Sequence, residues 1–174
     1  MTKGDSAGPT KIYWDACVFL SLIEADADRI DMIESVLDEM EKGKVQIFTS
    51  MISIAEVAFA KQEKDGKKLS KVVEQKIDGL WKNGSPFLLV DVYRSVVNDA
   101  RSLVREALQQ SLPLKPPDAI HFATAKRLGA SQFHTYDEFR NKTAELSQLL
   151  AVPIGPPDVS GKFIWPSVKK KSKS

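Results

Sequence analysis

Cysteine is nearly absent from this sequence. Cys17 stands alone among 174 residues, which excludes an intramolecular disulfide and a zinc cluster built on cysteines. Long hydrophobic runs are missing as well. No window approaches the roughly 18 apolar residues of a membrane span. The stretch from Met1 to Pro9 is polar and unlike a signal peptide, so a cytoplasmic protein with no membrane partner is expected. Neither sign of charge is in excess: 25 Lys and Arg against 23 Asp and Glu leave +2, too little to name a partner. The local exception is Lys169-Lys170-Lys171-Ser172-Lys173-Ser174, a basic run that reads as a solvated tail. There is no internal repeat. A hydrophobic fraction of 43% with 28% charged residues is that of an ordinary globular domain long enough to bury one core.

What is present is an alternation of short strands and amphipathic helices. Lys11-Ile12-Tyr13-Trp14, Val45 to Thr49, Phe87 to Val92 and Ser131 to Tyr136 are rich in residues that a pleated surface accepts, and Val152-Pro153-Ile154 suits an edge strand. Between them, Asp28 to Lys42 carries Ile30, Ile33, Val36, Leu37 and Met40 at helical spacing, and Gly43 ends it. Met51 to Ala60 is apolar enough for a helix buried on most sides. Lys61 to Asn83 gives a charged amphipathic helix after a loop at Asp65-Gly66. Tyr93 to Ser111, a helix from Pro116 to Leu128-Gly129, and Glu138 to Leu150 complete the set. This alternation predicts a three-layer α/β/α sandwich around a mainly parallel sheet of four or five strands. Residues 1–10 read as a leader, 11–156 as the domain and 157–174 as an extension with the basic tail.

Four acids fall where such a fold gathers them. Asp15 follows the first strand and Asp137 the fourth, so both face the carboxyl rim of the sheet, where open α/β sheets bind ligands. Asp118 follows Pro116-Pro117 in the first turn of a helix, a position the helix dipole favours for a carboxylate. Glu56 interrupts the apolar helix after the second strand, where a charge needs a partner or a metal. Each has a plainer reading: Asp15 and Asp118 as helix starts, Glu56 as an exposed edge. Asp91 reads as a cap for the helix that follows it. Four carboxylates at one rim repel one another unless a cation is present, and magnesium takes oxygen ligands while keeping waters for substrate phosphates. Phosphodiester hydrolysis suits that constellation, because the metal acidifies a water and stabilises charge during in-line displacement.

Tyr13-Trp14-Asp15-Ala16-Cys17, Ser53-Ile54-Ala55-Glu56, Pro117-Asp118-Ala119-Ile120-His121-Phe122-Ala123-Thr124-Ala125 and Thr135-Tyr136-Asp137-Glu138-Phe139 resemble the successive motifs of a PIN domain. The resemblance spans about Lys11 to Ile154. It implies a ribonuclease dependent on Mg²⁺ or Mn²⁺, as in the VapC-like toxins of toxin–antitoxin pairs, with RNA as substrate, a small antitoxin as partner and a homodimer as the assembly. By motif position Asp15, Glu56, Asp118 and Asp137 match that family's acidic metal site, and Thr135 matches a position close to it. Cys17 stands where many members carry Ser or Thr, and the charged helix and Lys-rich end make this chain longer than compact toxins. A phosphatase of the haloacid-dehalogenase type is disfavoured, since the second Asp it needs is here Cys17. A metal-free ribonuclease would need paired histidines for acid–base work. His121 and His134 both read as structural. The non-enzymatic alternative is a PIN-like RNA-binding or scaffold module.

Overall fold

The computed structural model describes residues 8–58 and 70–166. Strand β1 (Thr10–Trp14) leads into α1 (Ala16–Glu24), whose N-cap is Asp15, held in extended backbone with its side chain accepting the Cys17 N–H. Helix α2 (Ile30–Glu41) buries Ile33 and Val36, as its period requires, and the chain then turns at Gly43 with φ of 71°. Strand β2 (Val45–Ser50), the short α3 (Ile52–Glu56) and α4 (Lys71–Trp81) follow, with Ser70 capping α4 by accepting the Val73 N–H. After β3 (Leu88–Val90) come α5 (Arg94–Gln109) and α6 (Pro116–Leu128). Prolines occupy the first two positions of α6, where no intrahelical N–H bond is lost, and Gly129 closes it in left-handed backbone. Strand β4 (Gln132–His134), a 3₁₀ turn (Phe139–Asn141), α7 (Thr143–Leu150) and β5 (Ile154–Gly155) complete the described chain.

All five strands run parallel in the order β3-β2-β1-β4-β5. The chain moves outward from β1 to β3 and then returns to the other side of β1. The order therefore reverses between β1 and β4, and the crevice beyond their carboxyl ends is where such sheets place ligands. Alternation along β1 sorts its side chains to two cores. Ile12 and Trp14 pack with Val18, Phe19, Ile33 and Ile77 of α1, α2 and α4. Tyr13 packs on the opposite face with Leu103, Phe122, Phe133 and Leu146 from α5, α6, β4 and α7. Phe133 bridges this second core, stacked on Tyr13 at 5.1 Å and edge-on to Phe122 at 4.6 Å.

The sandwich, the parallel sheet and the strand order along the sequence agree with expectation; several details differ. The segment from Met51 forms five helical residues, with Ser53 buried and Ile54, Ala55 and Glu56 exposed, so it is not a helix buried on most sides. The rest of that expected helix, the Asp65-Gly66 loop, and the Lys-rich tail lie outside the described residues. Asp91 does not cap α5; it accepts the Tyr93 hydroxyl at 2.8 Å, and the cap residue Tyr93 makes no side-chain cap. The helix expected from Glu138 is split, because Phe139, Arg140 and Asn141 all take positive φ before α7 begins. Beyond β5 the chain packs back on the sheet edge, with Phe163 against Gly155 and Gln132 donating to the Val159 carbonyl at 3.2 Å.

His134 locks this edge to the core. Its Nδ1 accepts the Trp14 indole N–H at 3.0 Å, which leaves Nε2–H to donate to Gln132 Oε1 at 2.8 Å. An indole only donates, so the pair requires a neutral imidazole. Burial pushes its pKa down to about 3, with Asp158 pulling weakly the other way. The unfolded chain takes up this proton near pH 6.5 and the folded chain does not, so the stability present above 6.5 shrinks as pH falls, by at most about 1.4 kcal/mol per unit. Urea denaturation of the protein and of His134→Gln across pH 7 to 4.5 tests this. The variant should start less stable and lose less stability over that window; parallel curves would contradict the assignment.

Candidate active site

Asp15 sits at the first position beyond β1, where its backbone N–H continues the ladder to the His134 carbonyl at 3.2 Å. Its half-buried carboxylate is held by Cys17, through the backbone N–H at 3.1 Å and the thiol, which donates at 2.8 Å. Cys17 Sγ in turn accepts the Tyr136 N–H at 3.0 Å and lies 3.4 Å from the Thr135 hydroxyl. That hydroxyl accepts the Asp137 N–H at 3.0 Å, and Asp137 Oδ1 accepts the Phe139 N–H at 2.7 Å. One continuous set of hydrogen bonds thus joins the end of β1 to the turn after β4. The thiol fills the role that a hydroxyl at this position would have. Burial raises the Asp15 pKa, with Cys17, His121 and Thr135 opposing. The Cys17 thiol is pushed well up by burial and by the Asp15 charge, which keeps it a donor.

Asp118 occupies the first turn of α6, half-buried at the same rim. Its pKa is raised by burial first, then by the charges of Asp137 and Asp15, with His121 and Lys115 opposing. The helix dipole favours its ionised form, but burial and two like charges win. The three aspartates therefore share one electrostatic neighbourhood. Asp137 is the exposed member.

Glu56 is placed differently. Its Oε2 is 2.6 Å from His121 Nε2, across from α3 to α6. His121 is buried at 3% exposure one turn beyond Asp118, and its Nδ1 meets the Tyr13 hydroxyl at 2.8 Å. The same hydroxyl accepts the Ser50 backbone N–H at 2.9 Å. At the start of α3, Thr49 and Ser53 share a hydroxyl hydrogen bond of 2.6 Å. His121 and Tyr13 are the site neighbours that residue-type reasoning passed over. The signal for His121 was its spacing, since residue i+3 from Asp118 shares its helix face.

Among the described residues no three His, Cys, Asp or Glu side chains stand close enough to hold one metal ion between them. Magnesium does not require three. It commonly keeps several waters and binds through one or two carboxylates together with substrate phosphates. The donors here are hard oxygens under mutual repulsion, which fits a largely hydrated divalent cation and does not fit a closed protein cage. No described helix is long and apolar enough to cross a membrane.

A family model described as PIN domain matches residues 12–146. No curated protein matches the chain by sequence. Among solved structures, VapBC2 from Rickettsia felis, determined with a DNA fragment from its promoter, aligns at 15% identity and a TM-score of 0.63, covering 86% of this chain and all of that one. FitAcB from Neisseria gonorrhoeae aligns at 15% identity and 0.56, covering 84% and 97%. VapC20 of Mycobacterium tuberculosis, a sarcin-ricin loop cleaving toxin, aligns at 14% and 0.55, covering 75% and 93%. At these identities the likeness is one of fold.

The raised pKa of Asp118 makes a stability claim. Its charged form is disfavoured in the folded state, so the penalty is present at neutral pH and disappears as pH falls below the unfolded value near 4. Asp118→Asn should therefore raise Tm at pH 7 without divalent cations, by about 2–4 °C if the relief is near 1 kcal/mol. The gain should vanish near pH 3.5. A lower Tm at pH 7 would show that the dipole contribution dominates instead.

Proposed function

The chain belongs to the PIN domain family, and on that footing we propose that it is a divalent-metal-dependent endoribonuclease acting on RNA phosphodiester bonds. The reading is supported by Asp15, Asp118 and Asp137 all standing at the rim beyond the β1–β4 switch point, with the Asp118 pKa raised by burial first and then by the charges of Asp137 and Asp15. Gathering like charges in partly buried positions costs stability, and a bound cation removes the cost. Mg²⁺ or Mn²⁺ supplies charge compensation at the phosphodiester and an acidified water when bound.

This chain's own residues do the rest. Asp15, fixed by Cys17 and by the β1–β4 ladder, and Asp118, fixed in the first turn of α6, are the rigid members of the acidic set. Asp137 reaches the rim from the turn after β4, held by Phe139 N–H and by Thr135. Glu56 is the fourth acid, joined to the group through His121. No covalent nucleophile from the protein is required. The fold shared with VapBC2 and VapC20 supports the further reading that this is the toxin of a toxin–antitoxin pair, restrained by a small antitoxin. A cytoplasmic homodimer is part of the same proposal.

Cleavage of structured and unstructured RNA in Mn²⁺ tests the proposal. EDTA should abolish activity, and Asp15→Asn and Asp118→Asn should each lower the rate by about 100-fold or more while the protein stays folded. Equal rates in all three proteins would refute it. RNA binding by the unaltered protein without cleavage would instead support the non-catalytic module.

A further inference from the structure

We propose that a cleft beside the acidic rim is a base-binding subsite, where an unpaired guanine next to the cleaved phosphodiester stacks on Trp165 and is read by Glu138 and Asn141. The proposal rests on the ribonuclease reading. The cleft has a volume of about 360 Å³ and is lined by Glu138, Asn141, Thr143, Ala144, Ile154 and Trp165. That lies at the lower end of the roughly 300–1,000 Å³ of small-molecule pockets, which suits a single flat ring system. Its place in the chain ties it to the site, because Glu138 directly follows Asp137 at the rim.

The walls are fixed by the fold. Phe139 is buried and packs against Phe122 at 5.5 Å, which anchors the turn behind Asp137. Left-handed backbone at Phe139, Arg140 and Asn141, with φ of 46°, 54° and 63°, then turns the chain so that Glu138 and Asn141 line one cleft. The Thr143 hydroxyl donates to the Glu138 carbonyl at 3.0 Å and closes that turn. Ile154 of β5 is buried and gives the cleft an apolar floor. Trp165 arrives from the chain beyond β5, which is fastened to the sheet edge. There Gln132 donates to the Val159 carbonyl at 3.2 Å, and Phe163 lies so close over Gly155 that any side chain at that position would collide with its ring. Trp165 itself is only partly buried, so ring surface stays open to the cleft.

Proteins read RNA bases when these are unpaired, by stacking on aromatic rings and by hydrogen bonds to their Watson–Crick edges. An indole face stacks on any base and gives no preference. The preference comes from Glu138, whose ionised carboxylate accepts and cannot donate. Guanine presents two adjacent donors on one edge, N1–H and the 2-amino group, which match the two carboxylate oxygens. Adenine and cytosine each present one amino group beside a ring nitrogen whose lone pair would face the carboxylate and repel it. Uracil presents a single N–H between two carbonyls. The Asn141 amide, exposed at the same cleft, can donate to guanine O6. The aspartates supply no sequence preference of their own. A base held one residue away from Asp137 sets which phosphodiester reaches them.

Mapping the cut sites of the full chain in an unstructured RNA pool of random sequence, with Mn²⁺, is the test. Guanine should be enriched about 10-fold at one position next to the cut, within the discrimination of a good bidentate contact. Glu138→Gln should remove that enrichment. Trp165→Ala should raise KM about 10-fold for every sequence, with the loss in KM rather than kcat. Trp165→Phe keeps a stacking face and should recover most of it. Fluorescence anisotropy of short unpaired RNAs on Asp15→Asn reads the preference without cleavage, and a guanine oligonucleotide should bind about 10-fold more tightly than its adenine counterpart. Cutting with no base preference, or RNA affinity indifferent to Trp165→Ala, would overturn this inference alone and leave the cleft to a protein contact. A chain that cuts no RNA under any metal refutes the ribonuclease reading. If that chain also binds the guanine and adenine oligonucleotides equally, the subsite falls with it; a guanine preference that persists there supports the subsite in a binding module.

Discussion

The pairing of β1 with β4 is the contact on which the rest of the site depends. Trp14 stands opposite His134 in the parallel register, and the Asp15 N–H extends that ladder by one more bond to the His134 carbonyl. A slip of one residue would turn every β1 side chain to the other face, exchanging Tyr13 with Trp14 between the two cores. The register is fixed twice over, by the apolar alternation and by the Trp14–His134 hydrogen bond. With it fixed, Asp15 and the Thr135–Asp137 turn must lie side by side at the rim. The sheet's geometry thus delivers two acids, Asp15 and Asp137, from distant parts of the sequence to one rim.

That delivery has a cost, which the surroundings only partly offset. Asp15 is stabilised by Cys17 and Thr135, yet burial still raises its pKa. Asp118 has the dipole of α6 behind it and is raised nonetheless by burial, Asp137 and Asp15. A structure optimised for stability alone would place an amide at Asp118. Retaining the acid makes sense when its charge is needed for a cation. By contrast, the polar groups directly beneath the site are matched: Tyr13, His121, Ser50, Thr49 and Ser53 all have partners. Repulsion is concentrated at the rim, and satisfied hydrogen bonds lie beneath it.

Much of this was legible in the sequence because it depends on short-range patterning. Strand–helix alternation, Pro116-Pro117 before Asp118, Gly129 behind it, and an acid directly after β1 all report local geometry. What was not legible depends on contacts between segments far apart. His121 on an otherwise apolar helix face reads as core until α3 brings Glu56 to it. Cys17 reads as a departure from the usual hydroxyl until its thiol is seen to donate to Asp15 and its sulfur to accept the Tyr136 N–H. The break at Phe139 to Asn141 defeated a periodicity argument because three successive left-handed residues carry no glycine to announce them. The five-residue length of α3 was hidden by an apolar run that looked long enough for a buried helix.

Everything in the proposed chemistry turns on the β1–β4 rim being a cation site formed by aspartates. A crystal structure grown with Mn²⁺, with the ion located by its anomalous signal, tests this most directly. A peak is expected at the rim, about 2.1 Å from an oxygen of Asp15 or Asp118 or one water removed. An empty rim at millimolar Mn²⁺ would speak against it.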